Sequence, residues 1–122
     1  MLTARPRARR YKFTARIEMI DVQREQVAHG RTLDVSLYGC RALTKEPFPP
    51  GTKMSLRIIH KGESFTALGK IAYCGRDGEI GIAFTRVEAN DQAILEKWVE
   101  ELRNEPHRSM KQASSSRASS CS

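Results

Sequence analysis

No apolar run in this chain approaches the ~20 residues that a helix needs to cross a bilayer, and the first ten residues hold no apolar core of a secretion signal. Cytoplasmic residence without membrane insertion is the expectation that follows. Cysteine is scarce: Cys40, Cys74 and Cys121 are odd in number and far apart, which excludes a disulfide framework and a C-x-x-C metal pair. His29, His60 and His107 are scattered too, so no metal site is expected. No phosphate loop, H-E-x-x-H pattern or grouped Ser/His/Asp or Cys/His set occurs. Nor does any strand pattern place two carboxylates on one face as an acid/base pair, so catalysis is not expected.

What is abundant is positive charge, and its distribution matters more than its total of +7. Residues 1–16 carry six Lys/Arg and no acid, residues 17–102 carry eleven against thirteen Asp/Glu, and residues 103–122 carry four against one. The body is slightly acidic and the ends are basic. That is a cationic arm on a neutral-to-acidic domain, which differs from the basic face of a nucleic-acid binder. With 122 residues and 39% hydrophobic side chains, the chain suits a single modest core.

Residues 1–10 form the arm, with Arg5, Arg7, Arg9 and Arg10 around a helix-discouraging Pro6. From Tyr11 to Met19 every odd position is apolar, the period-2 signature of a strand. A polar stretch follows over Asp21–Gly30, with a short strand near Val27. Thr32–Leu43 reads as a strand with a break near Tyr38-Gly39. Pro47, Pro49, Pro50 and Gly51 mark a loop. Met54–Ile58, Phe65–Tyr73 and Ile80–Phe84 each alternate, and Gly75-Arg-Asp-Gly78 reads as a hairpin turn. After Val87 the period changes: Ile94, Leu95, Trp98, Val99 and Leu102 share one helical face, with Asn90 or Asp91 as cap and Asn104 and Pro106 as stop. Trp98 should plug one side of the sheet. The organisation expected is an arm over 1–10, a small six-stranded antiparallel β-barrel with a C-terminal amphipathic helix over 11–104, and a disordered Ser-rich basic tail over 105–122.

The stretch Thr32–Arg41 carries the most chemistry. Leu33, Val35 and Leu37 alternate with Thr32, Asp34 and Ser36, which predicts the Asp34 carboxylate and Ser36 hydroxyl side by side on an accessible face. Gly39 should leave backbone open to a close approach, as a bulge or turn would. The same pattern also fits the wet face of an ordinary strand. The arm tips the balance towards binding. Arginines grip phosphates bidentately, stack on purines and pair with the O6/N7 edge of guanine. A carboxylate complements guanine's N1–H and N2–H₂ donors. Arm and strand face together suit an anionic, guanine-bearing ligand over which the arm would order.

Two motifs make this more specific. Arg5-Pro-Arg-Ala-Arg9 matches an RxxxR pattern just before the first strand, and Asp34-Val-Ser-Leu-Tyr-Gly39 matches a [D/N]xSxxG pattern on a following one. In that order, on a β-rich chain of this size, they resemble the PilZ family of cyclic di-GMP receptor domains over about residues 5–104. The resemblance implies a six-stranded barrel that binds cyclic di-GMP. Arg5 and Arg9 would hold guanine edges and phosphates, Asp34 and Ser36 the guanine Watson–Crick side, and Gly39 would allow close approach. One departure stands. The family's second arginine usually precedes the first strand's apolar residue directly, a place held here by Arg10 before Tyr11, and four residues before Arg10 is Pro6. Arg10 therefore joins the candidate ligand contacts.

The leading expectation is a non-enzymatic cyclic di-GMP receptor whose arm rearranges and alters contacts with an unidentified protein partner. An adaptor of the same fold that binds no nucleotide is the alternative. A small RNA- or DNA-binding barrel comes third, because the acidic body and the lack of interleaved exposed aromatics argue against it.

Overall fold

The computed structural model describes residues 9–116, with side chains through Asn104. Six antiparallel strands close into a ring: β2 (Arg16–Asp21), β5 (Lys53–His60), β6 (Glu63–Cys74), β7 (Glu79–Arg86), β4 (Gly39–Thr44) and β3 (Val27–Val35), which returns to β2. A two-residue β1 (Tyr11–Lys12) pairs with the end of β3 beyond β2. The helix α1 (Ala89–Ser116) packs on β6 and β1. This is the barrel-plus-helix that the alternating segments predict. Among the described residues, closure leaves no long unpaired edge for another chain to add to.

Alternation selects the barrel interior: Ile17, Met19, Leu56, Ile58, Ile71 and Ile80 are almost wholly buried. Each such side chain contributes on the order of 1.5–3 kcal/mol when taken out of water. Tight reversals join the strands. Lys61 and Gly62, and then Asp77 and Gly78, all have positive φ, the backbone that two-residue hairpin turns need. Trp98 closes one end of the barrel, packed between Phe13, His60 and Phe65, and its Nε1–H donates to Glu63 Oε1 at 3.0 Å. Lys97 Nζ donates to the other Glu63 oxygen at 2.8 Å, and the two donors hold that carboxyl below its ordinary pKa.

Several boundaries differ from the sequence reading. The expected first strand is interrupted over residues 13–15, dividing it into β1 and β2. The strand near Val27 and the strand at Thr32 are one element, β3. The expected break near Tyr38-Gly39 is a full reversal: β3 and β4 lie antiparallel, with Val35 opposite Cys40 and Asp34 opposite Arg41. Helix α1 starts at Ala89, so Asp91 lies inside its first turn, where its Oδ1 accepts the Thr66 amide of β6 at 2.8 Å. The helix also runs through Pro106 to Ser116, past the expected stop. Proline there removes one helical N–H, and the Met110-Lys-Gln-Ala113 stretch has good helix propensity. The last six residues of the expected tail, and residues 1–8 of the arm, lie outside the described residues.

The largest departure is a β-bulge. On β3, Thr32 pairs with Ala42 and Asp34 with Arg41, leaving Leu33 as an extra residue. One extra residue exchanges the two faces of a strand. Thr32 and Val35 therefore both point into the core, each 0% exposed, while Asp34 points outward. Thr32 is a polar side chain in an apolar interior and is fully used there. Its hydroxyl donates to the Phe13 carbonyl and accepts the Ala15 amide at 2.9 Å, bridging the interruption between β1 and β2.

Replacing Thr32 by Val keeps the shape and strands both buried backbone groups. Urea unfolding should show a loss of about 1–3 kcal/mol, whereas Thr32→Ser, which keeps the hydroxyl, should lose less; equal losses would mean that the hydroxyl contributes nothing.

Candidate functional site

The bulge sets Asp34 on the outer barrel wall, yet the residue is only 6% exposed and Ser36 only 4%. The accessible polar face expected from alternation is thus corrected: Thr32 is inside, and Asp34 and Ser36 are covered. What covers Asp34 is arginine. Arg41, opposite it on β4, donates from Nε to Oδ2 at 2.6 Å and from its backbone amide to Oδ1 at 3.2 Å. Arg10, which immediately precedes β1, donates from Nη1 to Oδ1 at 3.0 Å. The second end of Arg41 is also fixed, with Nη1 on Glu79 Oε2 at 3.0 Å, and the Tyr73 hydroxyl donates to that same oxygen at 3.3 Å. The result is a continuous polar chain across four elements: Arg10, Asp34, Arg41, Glu79, Tyr73.

Its charges are mutually stabilising. Asp34 first, then Glu79, raise the Arg41 pKa above the ordinary arginine value. The Tyr73 hydroxyl is raised by partial burial and then by the Glu79 charge and hydrogen bond. Just inside the wall, burial pushes the Cys40 thiol up to about 12; the Asp34 charge adds to this and Arg10 opposes it.

The other candidate residues have different surroundings. The Arg9 guanidinium lies 6.0 Å from the centre of the Tyr11 ring, within cation–π range. Arg5 lies outside the described residues. Ser36 and Gly39 build the β3–β4 reversal. The Ser36 amide donates to the Gly39 carbonyl at 2.8 Å, and the Ser36 hydroxyl accepts the Tyr38 amide at 3.1 Å. A Cβ on Gly39 would stand 2.2 Å from the Ile82 carbonyl oxygen. The close approach that Gly39 permits is therefore that of β7. The turn leaves Tyr38 beside the cluster in sequence and 54% exposed.

Arg41, Glu79 and Tyr73 are members of this cluster that sequence reasoning missed. The signal was present in Ser36-Leu-Tyr-Gly39: read as a reversal, it puts Arg41 opposite Asp34. The larger grooves among the described residues lie elsewhere. One of about 1060 Å³ is bordered by Arg16, His29, Arg31 and Lys45, and one of about 830 Å³ by Lys12, His60, Lys97 and Trp98. Asp34 lines neither of these grooves. Among the described residues there is no group of three His, Cys, Asp or Glu placed to hold a metal, and no helix is long and apolar enough to cross a membrane.

A closed six-stranded barrel with an arginine-bearing arm over a carboxylate is the architecture of one domain class. The PilZ domain profile matches residues 4–101, and the chain belongs to that family. Solved structures share the fold. The PilZ domain of CeSA from a cellulose-synthesising bacterium matches with TM-score 0.63 and 18% identity, over 79% of this chain and 99% of that one. The PilZ domain of YcgR from Escherichia coli with c-di-GMP matches with TM-score 0.67 and 15% identity, over 88% and 98%. The Bacillus subtilis inhibitor of motility MotI/DgrA matches with TM-score 0.63 and 13% identity, over 84% of this chain and 53% of that one. No curated protein matches the sequence.

The thiols offer a check on the wall beneath the site. With iodoacetamide at about pH 8, exposed Cys74 should be alkylated in the folded protein and Cys40 should remain a protonated, unmodified thiol. Peptide mass spectrometry reads each site; equal modification of both would show that the β3–β4 wall opens.

Proposed function

We propose that this chain is a non-enzymatic receptor for cyclic di-GMP, which binds on the outer wall at Asp34 beneath the arm. The observation that carries this reading is the contact of Arg10 with Asp34 across 24 residues of sequence. It brings the arm and the strand motif to one point. Guanine is the base whose Watson–Crick edge presents two adjacent donors, N1–H and N2–H₂, to a carboxylate. The arginines supply the complementary chemistry for phosphate oxygens and the O6/N7 edge. Arg10 and Arg9 are the described arm contacts, and Arg5 extends the set. Ser36 and Gly39 serve the same site by shaping the turn. Two matched E. coli YcgR structures hold c-di-GMP, which supports the ligand assignment. The arm then reorders over the nucleotide, and the changed surface alters contacts with a protein partner in the cytoplasm.

A second reading has one observation in its favour. Asp34 is already paired with two arginines, as suits an adaptor of the same fold that uses the cluster only as structure. Isothermal titration separates the two. The receptor should give saturable heat with cyclic di-GMP and none with GTP or cyclic di-AMP. Arg9→Ala, Arg10→Ala and Asp34→Ala should each weaken binding by about tenfold or more, the worth of a charge-assisted hydrogen bond. Absence of heat from folded protein would leave the adaptor reading. Oligonucleotide binding that survives Asp34→Ala and falls steeply with salt would point instead to nucleic acid.

A further inference from the structure

Arg41 belongs to neither sequence motif, yet it holds Asp34 at more points than any other described residue. Its Nε and its own amide engage both carboxylate oxygens, and its far end is pinned by Glu79. Both of its neighbouring strands are ladder partners within the closed ring. Arg10 is held otherwise. It reaches Asp34 through one 3.0 Å contact from a half-exposed side chain just outside a two-residue strand. Two cations share one carboxylate on unequal terms.

A carboxylate has about four lone-pair positions, two on each oxygen. On Oδ1 they are taken by the Arg41 amide and by Arg10, and on Oδ2 one is taken by Arg41 Nε. Nothing else donates to Asp34 among the described residues, so among them one position on Oδ2 is open. A two-donor guanine edge needs one position on each oxygen. It can use the open site on Oδ2 but can gain Oδ1 only by displacing a present donor. The Arg41 amide is fixed by the β3–β4 hairpin, so the donor that leaves is Arg10.

We infer that Arg41 is a positioning residue that presents Asp34 with one open and one exchangeable acceptor, and that a two-donor base takes the exchangeable one by displacing Arg10. Displacement frees the guanidinium of Arg10 for the anionic part of the same ligand. A one-donor base such as hypoxanthine, which lacks the 2-amino group, fits the open position and leaves Arg10 in place. This rests on the receptor reading and adds the event that releases the arm.

The test uses the full chain, nitrogen-labelled, with guanidinium Nε–H signals assigned through Arg10→Lys and Arg41→Lys. Without nucleotide, Asp34→Asn should shift the signals of both Arg10 and Arg41. Saturating cyclic di-GMP should move the Arg10 signal away from its Asp34-bound position and leave that of Arg41. The cyclic di-inosine analogue should bind about tenfold or more weakly, the loss expected for one hydrogen bond to a charged group, and leave the Arg10 signal unmoved at saturation. An Arg10 signal unmoved by cyclic di-GMP, or moved equally by both nucleotides, overturns the exchange. Calorimetry on Arg41→Ala adds a readout that fold stability alone does not move. Discrimination between the two nucleotides should collapse there and return in part with Arg41→Lys; retained discrimination overturns the positioning role. If Arg41→Ala does not fold, the wild-type spectra decide. No saturable heat from either nucleotide, with both arginine pairs still visible in the free protein, overturns the receptor reading itself.

Discussion

One extra residue in one strand governs the outer wall of this barrel. Without the bulge at Leu33, Thr32 and Asp34 would share a face, and either a carboxylate would enter the core or a hydroxyl would be spent on solvent. An uncompensated carboxylate in an apolar interior is among the costliest groups a small domain can carry. The bulge removes the conflict by sending Thr32 inward and Asp34 outward. It persists because the inward hydroxyl has work to do: it satisfies the two backbone groups left open where the first strand breaks. The bulge in β3 and the gap between β1 and β2 are two sides of one adjustment.

The arginines follow from that. Asp34 is turned outward but remains shielded, so its partners act in a medium less screened than open water. The two are still not equivalent. An exposed ion pair contributes little, about 0–1 kcal/mol; the Arg10 contact, with the arginine side chain 49% exposed, is of this kind. Arg41 is embedded in the strand ladder and tied at both ends, and its loss would leave two carboxylates facing each other on the wall. At the same carboxylate one partner is therefore built into the strand ladder and the other is held by a single half-exposed contact.

The sequence displays what alternation and punctuation can encode. The ring of strands, the hairpin turn at Asp77-Gly78, the amphipathic helix and the Trp98 plug all rest on local patterns, and all are found. The family motifs were legible in the same way, and Arg10 was marked by its place before Tyr11. The inward turn of Thr32 and the covering of Asp34 were not legible, because Thr32-Leu-Asp-Val35 alternates smoothly and a bulge needs no special residue there. Arg41, Glu79 and Tyr73 were hidden because their meeting depends on strand pairing across the closed ring. The helix end was misjudged because Pro106 reads as a stop in isolation, whereas α1 continues through it.

The shortness of β1 has a consequence for how the site responds to concentration. Tyr11 and Lys12 are paired to Val35 and Asp34, so Arg10 is tethered two residues from the strand position opposite the carboxylate it occupies. A tethered competitor is not diluted: its effective concentration is of the order of mM or above, whatever the amount of protein. Any ligand that must evict it sees an apparent affinity reduced by the fraction of time the carboxylate is unoccupied. Under the exchange proposed above, the two-residue strand sets a response threshold, and lengthening or loosening that tether would lower it.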